Sequence, residues 1–206
     1  MTGSLAPFIA QKAKVLEAAG VVSAEAEIEL ILCHLLDCTR LELYLHGAER
    51  LTSDVLHSFD EILVRRASRY PLQYILGESW FYGRKFRVTE AVMVPTPETE
   101  LLCEAAISFA QRRKLAAQRI LDIGVGSGVI SVTLASELPG AMVVSLDISP
   151  DALTVARENA QRMGVAGRIE FRRSDFFSAV GPDEQFDLIV SNPPYIAEKD
   201  YAGLMP

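Results

Sequence analysis

The sequence predicts a two-part fold, in which a small helical domain precedes an α/β domain built on a parallel sheet. Three observations predict this fold. Apolar residues recur at helical spacing through the first third of the chain, whereas residues 72–95 contain short β-prone runs broken by glycine. From residue 119 onward, strand-like and helix-like segments alternate, which is typical of parallel strands with helices on both faces of the sheet.

The helical domain is expected at residues 1–71. Gly20, Gly47 and Pro71 end three of its helices, since glycine favours helix ends and proline disfavours the helical conformation of the residue before it. Ser23 is the expected N-cap of the second helix. The predicted helices cover residues 5–19, 24–36, 41–45 and 53–70. They contain no motif that indicates a particular chemistry.

A β-hairpin linker is expected at residues 72–95. Its β-prone runs are residues 74–76, 80–82 and 86–88. A helix from Pro97 to about residue 114 should follow, because proline is favoured in the first helical turn and acidic side chains stabilise that end.

The α/β domain is expected at residues 96–206. Its predicted strands are residues 120–123, 141–146, 169–171 and 186–190, and helices are predicted at residues 129–138 and 150–163. A candidate binding motif follows each of these strands.

Composition excludes several classes of protein. Hydrophobic residues make up 50% of the 206-residue chain, which is enough for a core, and the net charge of −7 argues against a non-specific grip on nucleic acid. Cys33, Cys38 and Cys103 have neither a disulfide-framework nor a zinc spacing, and the histidines are scattered, so no metal site is predicted. Neither a signal peptide nor an apolar run of ~20 residues is recognisable, so we expect a cytoplasmic protein.

A glycine-rich turn follows the first strand of the α/β domain. The motif reads Asp122-Ile123-Gly124-Val125-Gly126-Ser127-Gly128, and its turn, residues 124–128, opens a helix. Glycines at such a position allow a ligand to approach the backbone closely, but the G-x-G-x-G spacing differs from the dinucleotide fingerprint. A simple packing turn is the alternative interpretation.

Acidic and aromatic residues follow the second and third strands. Asp147 lies about 20 residues beyond the glycine-rich turn, where a carboxylate accepts both ribose hydroxyls of an adenosine. Asp175 is a candidate acceptor for the exocyclic amine of adenine, and Phe176 a candidate cover for its ring. Either aspartate could instead cap a helix or turn.

The most specific motif, Asn192-Pro193-Pro194-Tyr195, follows the fourth strand. Two consecutive prolines stiffen the backbone and remove its N–H donors, so the Asn192 side-chain oxygen and the Pro193 carbonyl remain as fixed acceptors. Two acceptors suit an NH₂ group and direct its nitrogen lone pair toward a third position, where a methyl donor would lie. The Tyr195 ring would cover a flat amide or base. The alternative is an Asn-Pro turn capped by an aromatic residue.

These motifs, together with the linker, resemble the HemK/PrmC family of protein glutamine methyltransferases. The resemblance covers essentially the whole chain and is specific at residues 71–78, 80–83 and 192–195. Residues 94–100 are similar to the family's Pro-Arg-Pro-Glu-Thr-Glu segment, with Thr96 where arginine is usual.

The resemblance implies a class I, Rossmann-like S-adenosylmethionine methyltransferase sheet, truncated after its fourth strand because the chain stops at Pro206. It implies a substrate-recognition role for the helical domain and an S-adenosylmethionine site that includes the glycine-rich turn. The other implied cofactor contacts are Asp147, Asp175, Phe176 and Asn192, and residues 192–195 would bind and orient the acceptor glutamine. The implied substrate is the Gly-Gly-Gln motif of class 1 peptide chain release factors.

Other functions remain open at this point. A ribosomal-protein glutamine methyltransferase or a nucleic-acid amino-methyltransferase would use the same Asn-Pro-Pro-Tyr chemistry, the latter on a flipped base. The linker and the acidic charge disfavour nucleic acid as a stable partner. A protein-binding scaffold is the alternative that is not an enzyme. A nicotinamide dehydrogenase is disfavoured by the glycine spacing.

Overall fold

A computed structural model describes residues 5–113 and 118–193 of the chain. The chain divides into two units, with the boundary between Leu76 and Gly77. None of the helices in the described ranges is long and apolar enough to cross a membrane. The predicted domain bounds at residues 71 and 95 stay a prediction.

The first unit is helical. Its helices are α1 (Ala6–Ala18), α2 (Ala24–Leu36), α3 (Arg40–His46), α4 (Ser53–Ala67) and α5 (Leu72–Leu76), with a 3₁₀ turn at Gly47–Arg50. The core contains fully buried Leu16, Ile28, Leu32 and Phe59, which the helices present on facing apolar stripes.

Side-chain caps fix two of the helix starts. Thr39 and Glu42 form a reciprocal capping box at α3, and the Thr52 hydroxyl accepts a hydrogen bond from the Val55 N–H at α4. Ser23 occupies the predicted N-cap position of α2, but its side chain makes no capping hydrogen bond. The predicted N-cap position of Ser23 is therefore confirmed, without the side-chain hydrogen bond that such a residue usually makes.

Residues 72–76 form helix α5, whereas the sequence predicted an extended, β-prone run at residues 74–76. The Pro71 carbonyl accepts hydrogen bonds from the N–H groups of Tyr74 and Ile75, so Pro71 starts a helical turn. Leu72 is buried in the core of the first unit. Tertiary packing thus overrides the local β-propensity, and α4 ends at Ala67, before Pro71 is reached.

The second unit is a parallel sheet preceded by a hairpin. Its elements are β1 (Glu78–Phe81), β2 (Arg84–Arg87), α6 (Pro97–Arg112), β3 (Gln118–Ile123), α7 (Val129–Glu137), β4 (Ala141–Asp147), α8 (Pro150–Arg162), β5 (Ile169–Arg173) and β6 (Leu188–Ser191). Strands β1 and β2 pair antiparallel, whereas the four-stranded sheet is parallel in the order β5-β4-β3-β6. The predicted parallel sheet and hairpin are confirmed.

The two faces of the sheet are covered differently. Side chains from α6, α7 and α8 share one core with Ile120 and Val143, which lie on the same face of the sheet. On the other face, Leu121 and Val144 pack against Val180 and Phe186, which lie in the connection between β5 and β6. The expectation of helices on both faces is therefore not met within the described residues, where an irregular connection covers the second face.

Candidate functional site

The described residues of the four candidate motifs lie at one edge of the sheet, because the carboxyl ends of the parallel strands are in register. Ile123 pairs with Leu146 on one side and with Ser191 on the other, and Asp147 pairs with Arg173. The chain moves outward from β3 to β4 and β5, and then returns to place β6 on the opposite side of β3. The space outside the carboxyl ends of β3 and β6 is therefore a topological switch point, where open α/β sheets bind ligands.

The glycine-rich turn connects β3 to α7 and is anchored by backbone hydrogen bonds. The N–H groups of Gly124 and Val125 donate to the Leu146 carbonyl at 2.9 and 3.0 Å. The side chains of Val125 and Ser127 are buried, so these two predicted cofactor residues support the turn from inside. Only their backbone groups are therefore suited to meet a ligand.

Gly128 allows close approach of the neighbouring helix. It has a φ of +82° and caps α7, and a Cβ at this position would lie 3.0 Å from the Ala156 Cβ. It would also lie 3.1 Å from the Ala156 Cα, which is backbone and cannot move aside cheaply. Glycine is thus required by both the backbone conformation and the packing of the turn against α8.

Asp147 is tied directly to the glycine-rich turn. Its Oδ2 accepts a hydrogen bond from the Gly126 N–H at 2.9 Å, and its Oδ1 accepts one from the Ser149 N–H at 2.9 Å. The side-chain cap of α8 is Ser149, so Asp147 is not the residue that caps this helix. A carboxylate has about four lone-pair positions, which leaves Asp147 with capacity for further donors such as hydroxyls.

The turn after β5 presents its aromatic residues outward. Phe176 has a φ of +43° and is 68% exposed. The Ser174 hydroxyl donates to the Phe176 carbonyl at 2.7 Å and accepts from the Ala179 N–H at 2.9 Å, so Ser174 holds the turn. Within the described ranges, the Asp175 carboxylate accepts no hydrogen bond, so it is not a turn cap there. Its predicted contact with adenine stays a prediction.

Asn192 follows β6, and its side chain is held in place. The Asn192 Nδ2 donates to the Thr99 Oγ1 at 2.7 Å, and Thr99 is only 4% exposed in the first turn of α6. The preceding Ser191 hydroxyl donates to the Ile123 carbonyl at 2.8 Å, which ties the end of β6 to β3. Pro193 is exposed at the same edge. Pro194 and Tyr195 lie outside the described residues.

Comparison with known families decides what kind of domain carries this site. Residues 9–77 match the PrmC N-terminal domain, and residues 99–204, more than half of the 206 residues, match the Methyltransferase small domain. The chain belongs to the methyltransferase small domain family. The resemblance to the HemK/PrmC family is confirmed by the match of its N-terminal residues.

Curated relatives of the chain are named release factor glutamine methyltransferase. The relative from Koribacter versatilis is 46% identical and is matched over 90% of this chain and 65% of its own length. The corresponding values are 44%, 93% and 66% for Cereibacter sphaeroides, and 47%, 85% and 62% for Chlorobaculum tepidum. The chain thus spans slightly less than two thirds of the length of these relatives.

Among solved structures, the chain is similar to a ribosomal protein L11 methylase from Lactobacillus delbrueckii subsp. bulgaricus. The two are 28% identical, with a TM-score of 0.43 and a match over 52% of each chain.

Asn159 also contributes to the site, although it was not predicted from the sequence. It is fully buried on α8, where its Oδ1 accepts from the Arg87 N–H at 2.7 Å. Its Nδ2 donates to the Arg87 carbonyl at 2.9 Å and to the Ser127 carbonyl at 2.8 Å. Asn159 therefore joins strand β2 to the glycine-rich turn. Its position on the apolar stripe of residues 152–160 is a signal that would have identified it, because a buried amide needs partners.

Asp122, the first residue of the predicted glycine-rich motif, was assigned no role from the sequence and lies beneath the turn. It is fully buried at the end of β3, and its carboxylate accepts a hydrogen bond from the Ser131 hydroxyl of α7. Burial raises the pKa of Asp122 to about 6, against the lowering effect of the Ser131 hydrogen bond. Within the described residues, its Oδ1 has no hydrogen-bond partner.

We expect this burial to make the stability of the domain depend on pH. The folded state binds the Asp122 proton more tightly than the unfolded chain, so the free energy of unfolding falls as the pH rises from 3.8 to about 6. The Asp122 contribution to this fall is at most about 3 kcal/mol. Urea denaturation of the wild type and Asp122→Asn over this pH range should show that their difference in unfolding free energy changes with pH.

Asp151→Asn is the matched control, because it also replaces a carboxylate by an amide. Asp151 is exposed in the first turn of α8. The difference for Asp122→Asn should change with pH more than the difference for Asp151→Asn. Equal changes in the two differences would contradict the raised pKa of Asp122.

Proposed function

We propose that the protein transfers a methyl group from S-adenosylmethionine to the side-chain amide nitrogen of a glutamine. The observation that carries this proposal is the placement of Asn192 at the switch point, with its Nδ2 already bonded to Thr99. The Asn192 Oδ1 therefore remains as an acceptor for an N–H of the substrate. The names of the relatives support release factors as substrate, and we propose that these are class 1 release factors methylated in the cytoplasm.

The residues at the sheet edge fit S-adenosylmethionine. A Cβ at Gly124 or Gly126 would meet no heavy atom of the described residues within 4 Å, so the turn presents open backbone. Asp147 has remaining acceptor capacity for the ribose hydroxyls, and the exposed Phe176 provides a face for the adenine ring. When bound, the cofactor supplies an electrophilic methyl group.

The protein's own task is to orient a weak nucleophile. The lone pair of an amide nitrogen is delocalised, so its angle of approach and electron density decide the rate. The Asn192 Oδ1 and the Pro193 carbonyl accept the two N–H groups of the glutamine, which fixes the nitrogen and increases its electron density. The sequence motif predicts that Pro194 would stiffen this arrangement and that Tyr195 would cover the amide plane. No strong general base is needed, because the proton can leave after the methyl arrives.

Gly126→Ala is expected to lower the affinity for S-adenosylhomocysteine at least about 10-fold, because a methyl group would occupy the space beside the turn backbone. The Gly126 φ is +52°, so the substitution also strains the backbone. Gly164→Ala is the matched control, since Gly164 has a φ of +70° and also has no heavy atom of the described residues within 4 Å of an added Cβ. Calorimetric titration and urea denaturation should show similar losses of stability but a loss of affinity for Gly126→Ala alone. Equal affinities would contradict the placement of the cofactor.

Transfer of a labelled methyl group distinguishes the proposed substrate from the alternatives. The full-length gene product is incubated with labelled S-adenosylmethionine and, separately, with release factor, ribosomal protein or nucleic acid. We expect label in the release factor. Label in another substrate would reassign the acceptor, and absence of S-adenosylhomocysteine binding by calorimetry would instead favour a protein-binding scaffold.

A further inference from the structure

We propose that the hairpin of β1 and β2 forms part of the cofactor site, because the backbone of Arg87 holds the glycine-rich turn through the carboxamide of Asn159. Asn159 is then a positioning residue, and its orientation is set by the hairpin. This inference deepens the proposed function and rests on it, since the turn is the proposed binding place of S-adenosylmethionine.

The outer edge of β2 presents the backbone of Arg87 to helix α8. Arg87 lies opposite Glu78 in the hairpin, and the next residue, Val88, donates its N–H to the Gly77 carbonyl at 3.0 Å. Successive residues of an antiparallel strand direct their backbone groups to opposite edges, so the Arg87 N–H and carbonyl point away from β1. Both groups bind the Asn159 carboxamide, at 2.7 and 2.9 Å. Asn159 thus takes the place that a residue of a third strand would occupy.

The same carboxamide reaches the glycine-rich turn. Its Nδ2 also donates to the Ser127 carbonyl at 2.8 Å, in a buried contact. A carboxamide has two N–H donors, so Arg87 and Ser127 together use both of them. The group is planar, as a peptide group is, so its orientation at Arg87 fixes the direction of the donor that holds Ser127. Two of the three hydrogen bonds that position the turn through Asn159 are therefore made to the hairpin.

The surroundings of this contact leave little space for another arrangement. Asn159 is fully buried and Ser127 is only 3% exposed. One helical turn before Asn159, Ala156 lies so close to Gly128 that an added Cβ would be 3.0 Å from the Ala156 Cβ. Without the Arg87 N–H, the carboxamide could rotate and the Ser127 carbonyl would lose its fixed donor. The open backbone of the turn would then no longer be held in the geometry that binds the cofactor.

The side chain of Arg87 does not explain this role. Its guanidinium pairs with Glu158, the residue before Asn159, but both side chains are more than 40% exposed. Ion pairs of this kind contribute little, because water and salt screen them. The backbone N–H is the group that matters, and proline is the residue that lacks it.

Arg87→Pro therefore tests the proposal. Proline is tolerated at a strand edge, and it favours the extended conformation that the preceding residue already has in β2. In the full-length gene product, Arg87→Pro should lower the affinity for S-adenosylhomocysteine about 10-fold, a size typical of coupling between two sites. Calorimetric titration measures the affinity, after circular dichroism has shown that the variant is folded.

Two matched controls separate the backbone bond from its surroundings. Lys85→Pro places proline two residues earlier on the same edge of β2, opposite Trp80, and Glu158→Gln removes the ion pair of Arg87. The affinity of each control should stay within about threefold of the wild-type value. An Arg87→Pro affinity equal to that of Lys85→Pro, or an equally large loss in Glu158→Gln, would overturn the proposal.

Hydrogen exchange of the wild type decides the question if Arg87→Pro does not fold. Cofactor binding fixes the turn and with it the carboxamide, so saturating S-adenosylhomocysteine should slow exchange of the Arg87 N–H at least about fivefold. The Val88 N–H, which is bonded within the hairpin, should change less. Unchanged exchange at Arg87, or equal slowing at both positions, would contradict the proposal.

A measurement without cofactor keeps this inference separate from the proposed function. If the wild type binds no S-adenosylhomocysteine, the proposed function fails, but the connection between hairpin and turn can still be observed. The Gly128 N–H belongs to the same peptide group as the Ser127 carbonyl, so its ¹⁵N resonance reports the Asn159 hydrogen bond. This resonance should shift in Arg87→Pro and remain in place in Lys85→Pro. An unchanged resonance in Arg87→Pro, or an equal shift in both variants, would show that the hairpin does not position the turn.

Discussion

Replacement of Asn192 by alanine is expected to lower turnover roughly 100- to 1000-fold, the size of effect seen when a preorganised hydrogen-bonding group is removed from a reacting centre. The loss should fall on kcat, because the carboxamide orients the nucleophile and contributes less to holding the cofactor. S-adenosylhomocysteine affinity should change less than about fivefold. Single-turnover methylation of release factor, together with calorimetric titration of the variant, separates the two quantities.

Ser191→Ala is the matched control for this experiment. Ser191 precedes Asn192 at the end of β6, and its hydroxyl donates to the Ile123 carbonyl without contacting Thr99. The control tests whether a general loosening of the strand end lowers turnover. Near wild-type turnover in Asn192→Ala, or an equal loss in Ser191→Ala, would show that the carboxamide has no specific role.

Asn159→Ala is expected to destabilise the second unit by about 3 kcal/mol or more. The substitution removes three hydrogen bonds and leaves the part-buried backbone groups of Arg87 and the buried Ser127 carbonyl without these partners, each at a cost of about 1–3 kcal/mol. The same change should lower S-adenosylhomocysteine affinity, because the Ser127 carbonyl is the anchor of the glycine-rich turn on α8. Urea denaturation and calorimetry measure both effects.

Gln161→Ala on the same helix provides the reference for this prediction. Gln161 is exposed near the end of α8, so its substitution should change stability by less than about 0.5 kcal/mol. A loss below about 1 kcal/mol for Asn159→Ala would mean that the three hydrogen bonds do not hold the turn.

The sequence predicted most elements of the fold because their residues are periodic. Helix α2 and strand β4 have the expected bounds to within a residue, since their apolar spacing is regular and their ends carry recognisable residues. Helix α5 could not be predicted in this way. Its few residues have high β-propensity, and only the burial of Leu72 in the first unit decides in favour of a helix.

The candidate site was predictable where its residues follow strands. The glycine-rich turn, Asp147 and Asn192 come to one edge because parallel strands in register bring their carboxyl ends together. Thr99 could not be recognised as the partner of Asn192, since 93 residues separate them and no local pattern indicates their contact. The same applies to Arg87 and Asn159, which are 72 residues apart.

Tandem mass spectrometry of release factor treated with the full-length gene product and S-adenosylmethionine tests the central claim most directly. The account predicts one added methyl group on the side-chain amide of the Gly-Gly-Gln glutamine, and none when Asn192→Ala is used under the same conditions. A methyl group on another residue or molecule, or an equal yield from the two enzymes, would contradict the assignment of Asn192 as the group that holds the acceptor nitrogen.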